Sequence, residues 1–277
     1  MPHRSITVSG VDVTPLCDAV GPMGPAIRRP LDEMFAGSGL PDEPWVLHFH
    51  CYLLRDAAGR LTLVDTGIGG IDSPAATWAP VPGTLAGELA AVGVSPADIG
   101  TVILTHLHGD HASGSVADGR PAFENARYVL QRAELDAAAG PMLDDVVTTI
   151  KDQLHVVEGD ADVAPGVRVH LAPGHTPGHQ IARAGDVAMT GDLVLHPVQL
   201  DDPRLRYLYD GDQEAAARTR AETLAALRAE RAILATAHFS EPFLRLTPAG
   251  ATPVTGSLTG PAAGPTTGPT TGPVTGR

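Results

Sequence analysis

The densest chemistry in the sequence is the run Thr105-His106-Leu107-His108-Gly109-Asp110-His111, which follows the short β-branched apolar segment Thr101–Thr105. In extended backbone, residues two apart point the same way, so His106 and His108 can grip one cation from one side. Gly109 permits a sharp turn, after which Asp110 and His111 can face a second cation. Imidazole and carboxylate donors suit zinc, iron or manganese, and the lack of thiolate in the run argues against an iron–sulfur or purely structural zinc site. Four donors from one loop do not complete two sites, and three further segments have the right character. Gly174-His175-Thr176-Pro177-Gly178-His179 follows a strand-like stretch at 168–172, Gly191-Asp192 follows one at 187–190, and Ala237-His238-Phe239 follows one at 232–237. All three lie just beyond strand ends, where a rigid scaffold commonly presents its functional residues.

The elements that must carry these loops read as an alternation of strands and helices. Ser5–Val13, Val46–Arg55, Arg60–Asp65, Thr101–Thr105, Arg127–Leu130, Arg168–Ala172, Gln180–Ala184, Val187–Thr190 and Ala232–Ala237 have strand character. Helices are expected over Thr84–Val92, Gln131–Ala139, Leu143–Val156 and, most clearly, Gln213–Arg231, where Ala216, Thr223, Leu224 and Leu227 form an apolar stripe and Arg and Glu occupy the rest. This order suits two sheets packed together and flanked by helices better than a doubly wound parallel sheet. From Thr247 the composition changes: Thr-Gly-Pro recurs at 259–261, 267–269 and 271–273, without an aromatic residue. Residues 1–247 therefore read as one domain, and 248–277 as a disordered tail that buries too little apolar surface to offset its ordering entropy.

The net charge of −13 argues against nucleic acid and against an anionic membrane surface, since both are bound by Lys and Arg clusters that this chain lacks. A small neutral or apolar substrate fits that field better. Cys17 and Cys51 are too few for a disulfide framework or a thiolate zinc site and read as small buried hydrophobes. No signal peptide and no spanning apolar stretch is visible, so the expectation is a soluble cytoplasmic protein.

The ordered set His106/His108, Asp110/His111, His175, Asp192 and His238 closely resembles the metallo-β-lactamase superfamily through its His-x-His-x-Asp-His signature, and Leu63-Val64-Asp65-Thr66-Gly67 is similar to that superfamily's early Asp-Thr-Gly turn. The motifs span residues 63–238. The resemblance implies an α/β fold, the four-layer αβ/βα sandwich of the metallo-β-lactamase type, with the site at one edge. Carried over residue by residue, it implies that His106, His108 and His175 hold one metal, that Asp110, His111 and His238 hold a second, and that Asp192 bridges them. Two divalent metal ions follow, zinc first and iron or manganese as alternatives. Asp65 would orient a ligand histidine by hydrogen bond, and His179 is read as structural rather than catalytic. The implied chemistry is attack on a carbonyl by a metal-bridging hydroxide, with Asp110 carrying the proton to the leaving group.

Within the superfamily, β-lactamases generally place Cys or Ser where this chain has Asp192, nucleases add basic binding modules, and glyoxalase-II-like thioesterases add a helical C-terminal domain. The chain looks like the lactonase, arylesterase and methyl-parathion-hydrolase branch, notably through Gly191-Asp192-Leu193-Val194-Leu195-His196-Pro197-Val198-Gln199. Acyl-homoserine lactonases often carry Tyr where His196 stands here; His196 either donates a hydrogen bond to substrate, as a catalytic group, or packs beside the site. The segment 18–45, with Met23, Ile27, Leu31, Met34, Phe35 and Trp45, fits a substrate-covering loop, or a face packed on the body or on the second subunit of a homodimer. His48 and His50 share one strand face and read as neutral packing histidines rather than ligands. The expected function is metal-dependent hydrolysis of a lactone or carboxylic ester. Thioester hydrolysis, a mononuclear iron persulfide dioxygenase and a non-enzymatic binding protein are the alternatives.

Overall fold

A computed structural model describes residues 4–254. Two seven-stranded sheets face each other. The first runs in the order Ile6–Val8, Val11–Pro22, Val46–Asp56, Leu61–Val64, Ile99–Ile103, Arg127–Gln131 and Leu154–Val157. The second runs Ala161–Ala164, Val167–Leu171, Gln180–Ala184, Val187–Met189, Ile233–Ala235, Phe243–Thr247 and Gly250–Pro253. Period-two alternation assigns the faces. Val13, Tyr52, Leu54, Ile103, Val169, Met189 and Ile233 meet between the sheets. Leu53, Leu63, Val102 and Leu130 face outward against Leu85 and Leu89 of the helix Leu85–Ala91. Leu234 and Leu244 face outward against Leu224 and Leu227 of the helix Gln213–Ala229. Full burial of each of those two helix leucines contributes about 1.5–3 kcal/mol. Helix, sheet, sheet and helix make the four layers of the αβ/βα sandwich.

Several boundaries differ from the sequence reading. Ser5–Val13 is a hairpin, because Ser9 and Gly10 take positive φ (49° and 80°) and turn the chain between two strands. The helix expected to reach Val156 is helical over 142–153 and then becomes the edge strand Leu154–Val157, where Val156 and Val157 favour the pleated geometry. The start of the tail also moves: Gly250–Pro253 pairs antiparallel with Phe243–Thr247, with Leu246 opposite Ala251. An added edge strand gains its ladder from the neighbour rather than from its own composition. The tail beyond Val254 lies outside the described residues. In 18–45, the chain stays in its strand to Pro22 and forms only one short helix, Leu31–Met34.

Parallel pairing is what gathers the chemistry. Leu61–Val64, Ile99–Ile103, Arg127–Gln131 and Leu154–Val157 run parallel, as do Val187–Met189 and Ile233–Ala235. The loops carrying Asp65, His106–His111, Asp192 and His238 all leave C-terminal strand ends and converge at one edge. There the sheets are tied directly: Gln180 N donates to Thr105 O (2.9 Å), and Gln180 Nε2 donates to Leu104 O (2.8 Å).

Candidate metal centre

The structure brings the seven expected donors together in two groups that share one residue. Ligand atoms of His106, His108, His175 and Asp192 lie within 4.8 Å of one another, and so do those of Asp110, His111, Asp192 and His238. The two carboxylate oxygens of Asp192 face different groups. Oδ1 lies 3.0 Å from His111 Nε2 and 3.0 Å from His238 Nε2; Oδ2 lies 3.1 Å from His175 Nε2 and 3.8 Å from His106 Nε2. Asp110 Oδ2 completes the second group, 3.3 Å from His111 Nε2 and 3.4 Å from His238 Nε2.

Each ring is held by the nitrogen that faces away. His111 Nδ1 donates to Asp65 Oδ2 (2.8 Å), His175 Nδ1 to Asp210 Oδ1 (2.9 Å), and His238 Nδ1 to the backbone carbonyl of His48 (2.9 Å). His106 Nδ1 lies 3.1 Å from Thr105 Oγ1, whose hydroxyl donates to Asp65 Oδ2. Those partners fix the tautomer that leaves Nε2 with a free lone pair. His108 is the exception and presents Nδ1, 3.0 Å from His175 Nε2. Asp65 has positive φ (60°), a conformation costing about 1 kcal/mol or more for a non-glycine residue. Its amide donates to Ile103 O while its carboxylate accepts from Thr105 N, Thr105 Oγ1 and His111. Those bonds over-determine the strained turn.

Three supporting residues were not singled out in the sequence. Asp210 accepts from His175 and also from Arg220 Nη2 at 3.0 Å. Arg220 is only 1% exposed and donates further to Leu193 O and Leu205 O, so it lies on the buried face of the helix Gln213–Ala229 rather than among its surface charges. Glu134, also buried, accepts from Leu107 N (2.8 Å) and Gly178 N (2.9 Å), clamping the loop of His106–His111 to that of His175. A buried carboxylate or guanidinium demands such partners, yet nothing in the local pattern of Asp210 or Glu134 announces them. His179 accepts from Asp192 N at Nε2 (3.1 Å), with Nδ1 toward Ala172 O (3.2 Å). Gly191, at φ +47°, is required beside it, since a Cβ there would meet Thr105 Oγ1 at 2.8 Å and His179 Nε2 at 2.9 Å.

Burial and mutual charge set the titration of the cluster. Burial would lower His111, but Asp110, Asp192 and Asp65 hold it well above the usual imidazole value. Burial likewise opposes Asp192 and Asp210 at His175, which ends near 9. Burial works to raise Asp192, yet His111, His238 and His175 hold it well below the carboxylate range. Burial takes His106 well down, helped by His111 and His108, and takes His108 to about 4. The donor set fits a pair of divalent cations. His106 Nε2 and His111 Nε2 are buried with no hydrogen-bond partner, and the His111 nitrogen has none even 3.0 Å from Asp192. Buried polar nitrogens left unmatched in this way are costly unless an ion takes them. Imidazole and carboxylate donors in four-membered groups match zinc, and accept iron or manganese.

A cavity of about 200 Å³ opens over Asp110, His175, Asp192 and His238, walled by Met23, Ile27, Trp45, Trp78 and Tyr207. Of the apolar residues of 18–45, Met23, Ile27 and Trp45 therefore line the cavity over the centre, while Leu31, Met34 and Phe35 pack in the cluster behind it. His196 does not join the wall of that cavity. Its ring packs against Phe35 and Trp45 (centroids 5.2 and 5.5 Å), and its Nδ1 accepts from Val198 N, because Pro197 turns the chain into the short helix Val198–Asp201. It lines an adjoining groove of about 630 Å³ instead. Tyr207, buried and 6.4 Å from the His175 ring, brings a phenol to the cavity wall from a different loop. Burial, and then Asp192, Asp110 and Asp210, keep that phenol protonated.

A sandwich with paired donor groups at one edge defines a class of metal-dependent hydrolases. The family described as "Metallo-beta-lactamase superfamily" matches residues 48–238, and the chain belongs to it. An N-acyl homoserine lactonase of a Bacillus species is 34% identical over 190 residues, covering 61% of this chain and 73% of its own length. One from Bacillus thuringiensis is 32% identical over 192 residues, with the same coverage. Among solved structures, the dizinc quorum-quenching lactonase AidC superposes with a TM-score of 0.73 at 22% identity, covering 93% of this chain and 98% of that one. The hydrolase AbOPH superposes with a TM-score of 0.73 at 22% identity, covering 90% and 95%.

Proposed function

We propose that this chain is a dinuclear metal-dependent lactonase that opens N-acyl homoserine lactones or closely similar esters. The observation that carries the reading is Asp192, whose two oxygens face two separate donor groups beneath an apolar cavity. His106, His108 and His175 would hold one cation, Asp110, His111 and His238 the other, and Asp192 both. Two divalent ions held there, zinc before iron or manganese, would supply Lewis acidity and activate a water at neutral pH.

The protein's own groups do the rest. Asp110 is held below the carboxylate range against the opposing effect of burial, chiefly by His111, so it enters the reaction ionised. It takes the proton released when the carbonyl is attacked and returns it to the departing alkoxide. The Tyr207 hydroxyl donates to the substrate carbonyl, in the role considered for His196. Met23, Ile27 and Trp45 hold the acyl chain. The relatives matched above are lactonases, which supports the choice of bond. Two complete donor groups favour a dinuclear hydrolase over a mononuclear dioxygenase. Two free thiols support a reducing compartment such as the cytoplasm.

The test joins elemental analysis to a panel of N-hexanoyl homoserine lactone, an aryl ester, a thioester and a persulfide. At least two metals per chain, needed by the paired donor groups, and fastest turnover of the lactone are expected. A thioester turned over faster than the lactone, or full activity with one metal, overturns the reading.

A further inference from the structure

We infer that Cys17, His48 and His50 form a third metal site, separate from the paired donor groups, that takes a single thiophilic divalent cation such as zinc. The site arises from strand pairing. Cys17 stands directly opposite His50 in the antiparallel ladder between Val11–Pro22 and Val46–Asp56, and His48 lies two residues along on the same face. A bulge follows Cys17, where the register shifts before Ala19, and such irregularities re-aim side chains at strand ends. One ligand atom from each of the three residues lies within 4.8 Å of the others.

His50 supplies the independent sign of a ligand. Its Nε2 lies 2.9 Å from the carbonyl of Phe239. A carbonyl only accepts, so Nε2 carries the proton and Nδ1 carries a lone pair. That Nδ1 is buried, on a side chain whose residue is only 7% exposed, and has no hydrogen-bond partner. A buried lone pair left unmatched is costly in a packed interior. Cys17 Sγ is 3.7 Å from His48 Nδ1. That matches the edge of a tetrahedral site, about 3.6 Å for Zn–S near 2.3 Å and Zn–N near 2.1 Å. Cys17 and His48 are half-buried, so an ion can enter and a water can complete the coordination. The neighbouring Asp18 is not available, since its carboxylate accepts from Ile68 N and Leu85 N, both at 2.7 Å. Sulfur with two imidazoles selects zinc or cobalt over magnesium or calcium. On binding, the S–H bond breaks, a metal–sulfur bond forms, and the proton leaves to solvent.

Sulfur makes the test specific, because the paired donor groups contain none. The metal-stripped full chain is titrated with Co²⁺ and followed in the near ultraviolet for the thiolate-to-cobalt charge-transfer band. Three equivalents bound, with the band present, are expected for the wild type. Cys17→Ser should take up two equivalents and lose the band, its retained pair showing that the variant folds. Cys51→Ser should keep the band, since Cys51 packs on the opposite face with Leu53 and Leu63. A wild type that stops at two equivalents without the band, or a band that survives Cys17→Ser, overturns the site. Should Cys17→Ser not fold, alkylation of Cys17 in the wild type decides. Three equivalents of Zn²⁺ should slow it about tenfold or more relative to two, and an unchanged rate overturns the site.

Discussion

Asp210 offers the sharpest test of how this centre is held. Its side chain is fully buried between two donors, His175 Nδ1 at 2.9 Å and Arg220 Nη2 at 3.0 Å. Asp210→Ala strands the Arg220 guanidinium in the interior with only carbonyl partners, and breaking a buried pair in this way costs about 3–5 kcal/mol. It also frees the His175 ring. Loss of such an orienting carboxylate weakens metal binding about 10–100-fold, equivalent to about 1.4–2.8 kcal/mol. The loss should fall on the metal held by His106, His108 and His175, with the other bound almost as before. Urea unfolding of the metal-free chain reads the first effect, and competition with a chelator reads the second. The double variant Asp210→Ala/Arg220→Met separates them. Removing the guanidinium should return most of the stability, because the stranded charge is gone, but not the metal affinity, because His175 still lacks its acceptor. Asp210→Ala with both metals bound at wild-type affinity refutes the orienting role. A double variant that regains stability and affinity together shows instead that Asp210 serves only Arg220.

Four further outcomes are expected. Asp192→Ala removes oxygens facing both donor groups, so the metal held by those paired groups should fall below two and turnover should drop more than about 100-fold, the upper range for residues that merely orient ligands; near-normal turnover with both paired metals retained rejects the bridge. Tyr207→Phe should keep both metals and lower kcat/KM for a lactone about 2- to 10-fold, the worth of one neutral hydrogen bond; an unchanged value rejects the donor role. Gly191→Ala must push aside Thr105 and His179 from a left-handed backbone position, and a loss of about 1–3 kcal/mol together with weakened metal binding is expected by denaturant titration. Burial pulls His50 from 6.5 to about 4. The unfolded chain therefore binds the extra proton first, so His50 withdraws stability as the pH falls from about 6.5 toward 4, by up to about 3 kcal/mol. Comparing urea midpoints of the metal-free wild type and His50→Gln at pH 7 and pH 4.5 measures it, and parallel acid losses in both count against the assignment.

The donors were legible in the sequence because each sits in a short motif whose geometry is local. His106 and His108 share a direction through the two-residue period of extended chain, and His175, Asp192 and His238 each follow a strand-like segment. The two-sheet architecture was legible from the order of strand-like and helix-like segments along the chain. What depends on distant partners was not legible. Gly250–Pro253 is a strand because Phe243–Thr247 offers it an edge. Arg220 is buried because Asp210, from another loop, meets it. Glu134 joins the loops of Leu107 and Gly178, which lie 27 residues before it and 44 residues after it. His196, promising by position, is turned to the aromatic wall by Pro197, while Tyr207, eleven residues on, reaches the cavity. Cys17 and His48/His50 were unremarkable separately and became a cluster only when two strands paired. Local periodicity fixes which way a side chain points along its own element; which charges, lone pairs and rings it meets depends on the packing of elements far apart in the chain, and only the tertiary structure decides that.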